Sequence, residues 1–329
     1  MLEALQLWAT PAQTFTPWTK SSTPSTVTLP TPRLQQRHEP SFTSTPTPAP
    51  APAPQHQKGP TLTLPRLLCL HGGGTNARIF RSQCRALRAR LGPYFRLVFA
   101  DAPFFTTPGP DVVKVYEKWG PFRSWFPPGY GVGATGSPRD GPVPICESAS
   151  ASRTVIASIE SSIKAAMAED DQAGASGPWV GVLGFSQGAK MAASLLLRQQ
   201  QQQQSDRRSL SDSSVDYRFA VLLAGRAPMV SLRMEDEDED EDDLRLPLPL
   251  PTFGFIPETI RLPTIHVHGM KDPGLPLHRE LLEYGCDEGS ARLIEWDGEH
   301  RVPIRSKDVL AVVDAILAIA RETGVVTRY

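Results

Sequence analysis

The clearest chemical signal in the chain is the run Gly-Phe-Ser-Gln-Gly at residues 184–188. An apolar stretch at 179–184 comes directly before Ser186, and a helix rich in small residues is predicted directly after it. A tight turn between a strand and a helix lifts a serine hydroxyl above a sheet and leaves no room for side chains at the flanking positions. The spacing therefore predicts that Ser186 is a nucleophile, which needs a base to take its proton.

Four histidines follow Ser186 in the sequence, and they differ in the elements that carry them. His266 and His268 alternate within a predicted strand, and His278 lies in a predicted helix. His300 lies in a loop between the last predicted strand and the last predicted helix. Because a catalytic histidine needs a loop position to reach over the nucleophile, His300 is predicted to be the general base.

The acid that orients such a histidine must also come from a loop at the carboxyl end of a strand. Asp272 does so, because it follows the predicted strand 263–268 and is followed by a proline. Asp297 also ends a strand, but only three residues before His300, and Asp101 precedes the serine. The order serine, acid, histidine is the one found in α/β hydrolases. Asp272 is therefore predicted to orient the imidazole, with Asp297 and Asp101 as the alternatives.

Acyl transfer also needs N–H donors for the negative charge that develops on the substrate carbonyl oxygen. One predicted donor is the backbone N–H of Gln187, directly after the nucleophile. The other is the N–H of Gly73, in the run His-Gly-Gly-Gly that follows an early strand. His71, which begins this run, is predicted to brace the loop rather than to act as a base. A phosphate-binding loop is disfavoured, because neither glycine-rich phosphate motif is present.

Strands and helices alternate over residues 62–325, and this alternation predicts the scaffold that positions these residues. The predicted strands are 62–70, 95–100, 179–184, 218–224, 263–268 and 291–296. The predicted helices are 76–91, 152–168, 189–198, 276–284 and 307–321. Strands separated by helices pair in parallel through right-handed crossovers, so we expect one doubly wound α/β domain with a mostly parallel sheet.

Three segments have compositions that favour surface or disorder over a core. Residues 1–60 are rich in Pro, Thr, Ser and Gln, and we expect a disordered extension because they bury too little apolar surface. A polyglutamine run with the polar stretch after it is assigned as an insertion at 199–216. A run of nine acidic residues lies within a second assigned insertion, 233–250. Both are expected to be solvated, and the folded domain is assigned to 61–329.

The segment 103–150 is expected to be an irregular cover that shapes an apolar acyl pocket, with ordinary packing of a long loop as the alternative. It holds many Pro and Gly residues and eight aromatic ones: Phe104, Phe105, Tyr116, Trp119, Phe122, Trp125, Phe126 and Tyr130. Arg123 and Arg226 are candidates to meet a carboxylate or a phosphopantetheine group, with plain surface charge as the alternative.

Composition excludes several other classes of protein. The chain of 329 residues has 34 Lys+Arg against 35 Asp+Glu and a formal net charge of −1, which argues against a dedicated nucleic-acid binder. Its four cysteines form no Cys-x-x-Cys pair, so neither a zinc site nor a disulfide framework is expected. The longest apolar stretch, 309–320, is too short to span a bilayer. We expect a soluble cytoplasmic protein without a cofactor, a metal, or a nucleic-acid or membrane partner.

Four segments together resemble the fungal serine-hydrolase family that includes the LovG-like thioesterases of polyketide gene clusters. They are 68–76 with 101–103, 184–188, 266–273 and 298–303. The resemblance implies an α/β-hydrolase fold, a triad of Ser186, Asp272 and His300, and hydrolysis of a small-molecule ester or thioester. It also implies that some members release a polyketide acyl chain from the acyl-carrier domain of a synthase, which would be a protein partner.

Two alternatives to this function remain open from the sequence. One is a broad-specificity carboxylesterase that has no carrier-protein partner. The other is a catalytically idle α/β-hydrolase that serves as a binding module, with the low-complexity segments as contacts. The complete set of serine, aspartate and histidine argues against the idle module, because a binding module has no need of all three.

Overall fold

The computed structural model describes residues 61–127, 149–205, 215–232 and 258–326. Eight strands lie in these residues: β1 (Arg66–Leu70), β2 (Arg96–Ala100), β3 (Phe104–Phe105), β4 (Arg123–Ser124), β5 (Trp179–Phe185), β6 (Val215–Leu223), β7 (Thr264–Gly269) and β8 (Ala291–Trp296). Six of them form one sheet in the order β2-β1-β5-β6-β7-β8, and every neighbouring pair is parallel. The predicted parallel α/β architecture is confirmed.

Seven α-helices connect or flank the strands within the described residues: α1 (Ala77–Gln83), α2 (Arg85–Leu91), α3 (Pro110–Tyr116), α4 (Ala149–Gln172), α5 (Gln187–Ser205), α6 (Leu275–Gly285) and α7 (Ser306–Glu322). The sequence predicted one helix over 76–91, whereas the structure has two. The helices meet at Cys84, whose ψ of 10° interrupts the α-helical backbone. Asn76 caps α1, because its side chain accepts a hydrogen bond from the N–H of Ile79 (2.8 Å).

Both faces of the sheet are covered by helices, which makes the domain doubly wound. Leu68 and Leu70 of β1 pack in a cluster with residues of α4 and α5. Leu67 and Cys69, which alternate with them, pack in a second cluster with residues of α1, α2 and α7. All five residues of β1 are buried, and each fully buried leucine contributes about 1.5–3 kcal/mol. Burial on both faces explains why this strand is a continuous apolar run in the sequence.

The order of the strands places the functional edge of the sheet. The chain passes from β1 to β2 in one direction, and later from β5 to β6, β7 and β8 in the other. The direction reverses between β1 and β5, and in open parallel sheets ligands bind outside the carboxyl ends of the strands at this point. The loops that follow β1, β5, β7 and β8 carry Gly73, Ser186, Asp272 and His300.

The segment after β2 forms a small structure of its own at residues 103–127. Strands β3 and β4 pair antiparallel outside the main sheet, and α3 with a 3-10 turn at Glu117–Trp119 lies between them. Trp125 and Phe126 are buried in the core, so for these two aromatic residues the alternative of ordinary packing holds. Phe105 is 65% exposed. The rest of the predicted cover, at 128–148, lies outside the described residues.

The polyglutamine run differs from the expectation of a solvated insertion. Helix α5 extends through it to Ser205, and the first glutamines bind neighbouring backbone. The Gln199 amide donates to Tyr217 O (3.0 Å) and accepts from Tyr217 N (2.9 Å). The Gln200 amide donates to Thr259 O (2.9 Å) and accepts from Arg261 N (2.8 Å). An amide side chain carries both a donor and an acceptor, so it satisfies both backbone groups of a passing segment.

The other low-complexity assignments fall where the structure gives no description. Residues 1–60, residues 206–214 and residues 233–257, which include the acidic run, lie outside the described residues. No helix among the residues that the structure does describe is both long enough and apolar enough to cross a bilayer.

Candidate active site

Ser186 lies on the turn between β5 and α5 and has a φ of 53°. Positive φ is uncommon for a residue with a side chain, and strain of this kind is concentrated at functional sites. A Cβ atom on Gly184 would lie 2.2 Å from Gly188 O, and one on Gly188 would lie 2.1 Å from Leu70 O. Both flanking positions therefore need glycine, for the steric reason that the sequence suggested.

Ser186, His300 and Asp272 lie side by side in the structure. Along the chain, His300 is 114 residues from Ser186 and 28 residues from Asp272. The Ser186 hydroxyl donates to Nε2 of His300, with Oγ and Nε2 2.9 Å apart. The Nδ1–H of His300 donates to Oδ2 of Asp272, with the two atoms 2.6 Å apart. These roles follow from an ionised carboxylate, which only accepts hydrogen bonds and so fixes the proton of the neutral ring on Nδ1.

Asp272 is buried and surrounded by donors. Its Oδ1 accepts a hydrogen bond from the N–H of Gly274 (2.8 Å), and Nη2 of Arg226 lies 3.8 Å from the same oxygen. Burial alone would raise the pKa of Asp272, but the hydrogen bond from His300 and the other donors outweigh it and lower the pKa below its ordinary value. Asp272 is therefore ionised at neutral pH and able to stabilise a positive charge on the imidazole.

The two alternative acids do not face the imidazole. The carboxylate of Asp297 is exposed and pairs with Nζ of Lys271 at 2.6 Å. Oδ1 of Asp101 accepts a hydrogen bond from the N–H of Ala77 (2.8 Å) at the start of α1. Both carboxylates lie at strand ends, as the sequence indicated, but their partners are a surface lysine and a helix terminus.

His71 braces the glycine loop, as predicted. Its Nε2 accepts a hydrogen bond from the N–H of Ala102 (3.0 Å), and its Nδ1 lies 2.8 Å from Gly72 O. The indole N–H of Trp125 donates to His71 O (2.8 Å). Burial lowers the pKa of His71 to about 4, so the ring is neutral at neutral pH. The loop that carries Gly73 is thus tied to the segments after β2 and at β4.

Gly73 and Gln187 are neighbours, as two donors to one oxygen would have to be. A Cβ atom on Gly73 would lie 3.1 Å from Nε2 of Gln187 and 3.2 Å from its Oε1. Gly73 is exposed, whereas Gly72 beside it is buried. Gln187 is the first residue of α5, and the first N–H groups of a helix have no partner within the helix.

The side chain of Gln187 has a structural role that the sequence analysis missed. Its Oε1 accepts hydrogen bonds from the N–H of Trp125 (2.8 Å) and the hydroxyl of Ser124 (3.2 Å). It therefore joins the start of α5 to β4, next to the nucleophile and the glycine loop. No local pattern marks this contact, because the partners are separated by 62 residues and the intervening segment has no regular repeat.

Three further histidines form a buried row behind the triad. The ring centroids of His266 and His268 are 5.9 Å apart, those of His268 and His278 are 5.4 Å apart, and those of His278 and His300 are 6.3 Å apart. Burial lowers the pKa of His266 to about 3, of His268 to about 4 and of His278 to about 3. These three rings are neutral at neutral pH. Of the three, His278 lies beside Asp272 (3.7 Å from Nε2 to Oδ2), whereas His300 is the histidine that contacts Ser186.

For two residues, Arg226 and His278, the sequence analysis missed the position beside Asp272. Arg226 was a candidate for binding a carboxylate or a phosphopantetheine group, and its guanidinium packs against Gly274 and Asp272. His278 was placed in a helix without a role, and its Nε2 lies 3.7 Å from Oδ2 of Asp272. His278 lies on the first turn of α6, directly after the loop that carries Asp272. This position in the sequence is the signal that could have indicated its contact with Asp272.

The fold and this site define the chain as a protein of the α/β-hydrolase class. Its serine lies on the tight strand-to-helix turn called the nucleophile elbow, at the point where the strand order of the parallel sheet reverses. Residues 61–312 match the family described as "Serine hydrolase (FSH1)". The chain belongs to this family and is a serine hydrolase. The predicted fold, the predicted family and the predicted enzyme class are confirmed.

Relatives of high identity cover most of the chain. Esterase pigG of Monascus ruber is 48% identical over 82% of this chain and 96% of its own length. The probable esterase tazC of Aspergillus terreus is 50% identical over 81% of this chain and 96% of its own length. Esterase citA of Monascus ruber is 48% identical over 80% of this chain and 95% of its own length. The likeness therefore extends over nearly the whole of each relative.

Proposed function

We propose that Ser186, His300 and Asp272 act as a catalytic triad and that the enzyme hydrolyses an ester or thioester through an acyl-enzyme. The observation that carries this proposal is the unbroken line of hydrogen bonds from Ser186 Oγ to His300 (2.9 Å) and from His300 to the buried Asp272 (2.6 Å). A serine hydroxyl needs this arrangement of base and orienting acid to become a nucleophile at neutral pH.

The proposed reaction has two halves that use the same residues. Oγ of Ser186 attacks the carbonyl carbon while Nε2 of His300 takes the hydroxyl proton. The N–H groups of Gly73 and Gln187 hydrogen-bond the oxyanion, and the imidazolium gives its proton to the leaving alcohol or thiol. A water molecule then loses a proton to Nε2, attacks the acyl-serine and releases the acid. Asp272 remains ionised throughout and stabilises the imidazolium.

We propose an apolar acyl group of polyketide type as the substrate. The names of the relatives identify them as esterases, which supports a small-molecule ester. The segment 103–127 lies against the glycine loop, since Gly74 N–H donates to Arg123 O (3.0 Å) and the indole N–H of Trp125 donates to His71 O (2.8 Å). A site covered by aromatic and apolar side chains favours apolar ligands.

The acyl group is proposed to arrive on a carrier domain, and a basic surface supports this. Helix α1 begins just after the glycine loop and α2 follows it. Together they carry five arginines, here called the arginine face: Arg78, Arg81, Arg85, Arg88 and Arg90. No ion pair joins these arginines to another residue in the described part of the chain. A basic surface on the helices that follow the glycine loop would steer a partner that is acidic around its thioester.

The test of the catalytic proposal compares wild type with Ser186→Ala on a p-nitrophenyl ester. The variant should lose turnover while its circular dichroism spectrum and melting temperature stay close to those of wild type. Turnover by Ser186→Ala above about 1% of wild type, which is about 2.7 kcal/mol of the barrier, would contradict the assignment.

The test of the carrier proposal uses charge reversal at the arginine face. Arg81→Glu with Arg85→Glu should lower kcat/KM for an acyl chain on a carrier domain by at least about tenfold and leave the p-nitrophenyl ester within about twofold. Arg218→Glu is the matched control, because Arg218 is exposed, pairs with Asp216 (2.6 Å) and lies near the start of β6, off α1 and α2. Equal activity of all variants on the carrier substrate would favour the broad-specificity carboxylesterase.

Two further assignments remain proposals. We propose that residues 61–329 form the catalytic domain and that residues 1–60 are an extension that the chemistry does not need; the family match over 61–312 supports the first. We also propose a cytoplasmic location. Buried free thiols at Cys69, Cys84 and Cys286 support it, because such thiols persist in reducing compartments.

A further inference from the structure

Three potential metal ligands meet at the inner side of the proposed triad. They are Asp272, His278 and His300, each of which offers one ligand atom within 4.8 Å of the others. Nε2 of His278 and Nδ1 of His300 both approach Oδ2 of Asp272. Two imidazoles and one carboxylate are a donor set that zinc binds in proteins, with a water molecule completing the tetrahedron. Hydrolysis by a serine nucleophile needs no such ion, so the proposed reaction leaves this donor set unexplained.

His278 supplies an independent observation that points to a ligand. Its side chain is fully buried, and neither ring nitrogen has a hydrogen-bond partner among the described residues. Most buried polar side-chain atoms in proteins do have a partner, so each exception calls for an explanation. Its Nε2 lies 3.7 Å from Oδ2 of Asp272, which is too long for a hydrogen bond and suits two ligands of one ion.

We propose that Asp272, His278 and His300 form an inhibitory binding site for a metal cation that prefers tetrahedral coordination, of which Zn²⁺ is the example used below. Bonds of about 2.0–2.1 Å at tetrahedral angles place ligand atoms about 3.4 Å apart. The distance of 3.7 Å between Oδ2 of Asp272 and Nε2 of His278 is close to this value. The 2.6 Å between Oδ2 and Nδ1 of His300 must widen by about 0.8 Å, which requires the His300 ring to turn.

Metal binding at Nδ1 removes the general base by fixing the wrong tautomer. In the resting site the ring proton is on Nδ1 and the lone pair of Nε2 faces the Ser186 hydroxyl. An ion that takes the lone pair of Nδ1 leaves the neutral ring with its proton on Nε2. The proton moves from Nδ1 to Nε2, the metal–nitrogen bond replaces the hydrogen bond to Asp272, and no group changes its redox state. His300 then has no lone pair for the serine proton.

The same surroundings limit which ions bind and how tightly. Nη2 of Arg226 lies 3.8 Å from Oδ1 of Asp272 and repels any cation, and the imidazole ligands disfavour Mg²⁺ and Ca²⁺, which prefer oxygen. The side chains of Asp272 and His278 are fully buried and that of His300 is 25% exposed, so an ion would enter past His300. The inference is a reversible site for Zn²⁺ that discriminates against Mg²⁺.

Direct binding is measured in Ser186→Ala, which keeps all three ligands and does not depend on any catalytic role. Equilibrium dialysis of this variant against ⁶⁵Zn²⁺ should find one ion per chain beyond the binding of a second variant that also carries His278→Phe. His268→Phe in the same background is the matched control, because His268 is equally buried and unpartnered but is not one of the three ligands. Identical stoichiometry in all variants would overturn the site, whatever the fate of the proposed triad.

The inhibitory half of the inference rests on the proposed function and is measured as ester turnover. At about 100 µM free Zn²⁺ the wild type should lose at least about tenfold in activity and recover it with EDTA, whereas Mg²⁺ should have no effect. Relative to their own metal-free rates, His278→Phe and His278→Gln should need more than about tenfold more Zn²⁺, since losing even an outer partner of a metal ligand costs 10–100-fold. Wild-type sensitivity in both variants, or full activity of wild type in Zn²⁺, would refute it.

Discussion

Replacing Asp272 by asparagine tests the proposed geometry with little change in shape. Asparagine has nearly the same volume, but its amide offers a neutral oxygen or a donor to Nδ1 of His300, in place of the carboxylate oxygen that now lies 2.6 Å away. The ring then loses the acceptor that keeps its proton on Nδ1 and the charge that stabilises the imidazolium. In the serine-protease example the same exchange lowers kcat about 10⁴-fold. Four factors of ten correspond to about 5.5 kcal/mol of the barrier.

Asp297→Asn is the matched control for this exchange. Its carboxylate is exposed and pairs with Lys271 at 2.6 Å, and surface pairs of this kind contribute little. We expect kcat/KM on a p-nitrophenyl ester to stay within about threefold of wild type, which is about 0.6 kcal/mol. The two variants are compared at one pH, with melting temperatures to show that both fold. If Asp297→Asn is the more damaging of the two, or if Asp272→Asn loses less than about tenfold, the assignment of the acid is wrong.

Three further predictions concern the turn around Ser186, the N-terminal extension and the buried His266. Gly188→Ala should lower the free energy of unfolding by more than about 3 kcal/mol, because its Cβ would lie 2.1 Å from Leu70 O. Gly289→Ala is the control: its φ is +83° but the space around it is open, so it should cost about 1 kcal/mol. Urea titrations measure both values. Deleting residues 1–58 should leave kcat/KM within about threefold, and a hundredfold loss would show that the extension takes part in the chemistry. The pKa of His266 is lowered by burial from 6.5 to about 3, so the folded state disfavours its protonation and the wild type should lose stability as pH falls below 6.5. His266→Leu should lose about 2 kcal/mol less than wild type between pH 7.5 and pH 5, and equal losses would contradict this origin.

The sequence predicted the parts of the site that depend on local structure. The sequence indicates Ser186 as the candidate nucleophile because a turn between a buried strand and a helix excludes side chains at the two glycine positions, which makes the Gly-x-Ser-x-Gly pattern visible. The sequence indicates Asp272 and His300 as their partners because both lie in loops after β7 and β8, and the carboxyl ends of parallel strands meet at one edge.

The contacts that sequence did not predict join segments that are distant along the chain. Gln187 binds Trp125 across 62 residues, and Gln200 binds Arg261 across 61. Glutamine is most often found exposed to solvent, so neither the residue type nor its position in the sequence indicates a buried partner. Likewise, Arg226 approaches Asp272 because β6 and β7 are adjacent in the sheet, and that adjacency becomes visible only when the strand order is known.

The central claim is that Ser186 forms the covalent intermediate, and the mass of the labelled chain tests it most directly. Wild type treated with a fluorophosphonate should gain the mass of one phosphonyl group, and peptide mapping should place that group on the peptide containing Ser186. Ser186→Ala should gain no mass under the same conditions. A single adduct that maps to another residue, or labelling that persists in Ser186→Ala, would contradict the proposed mechanism.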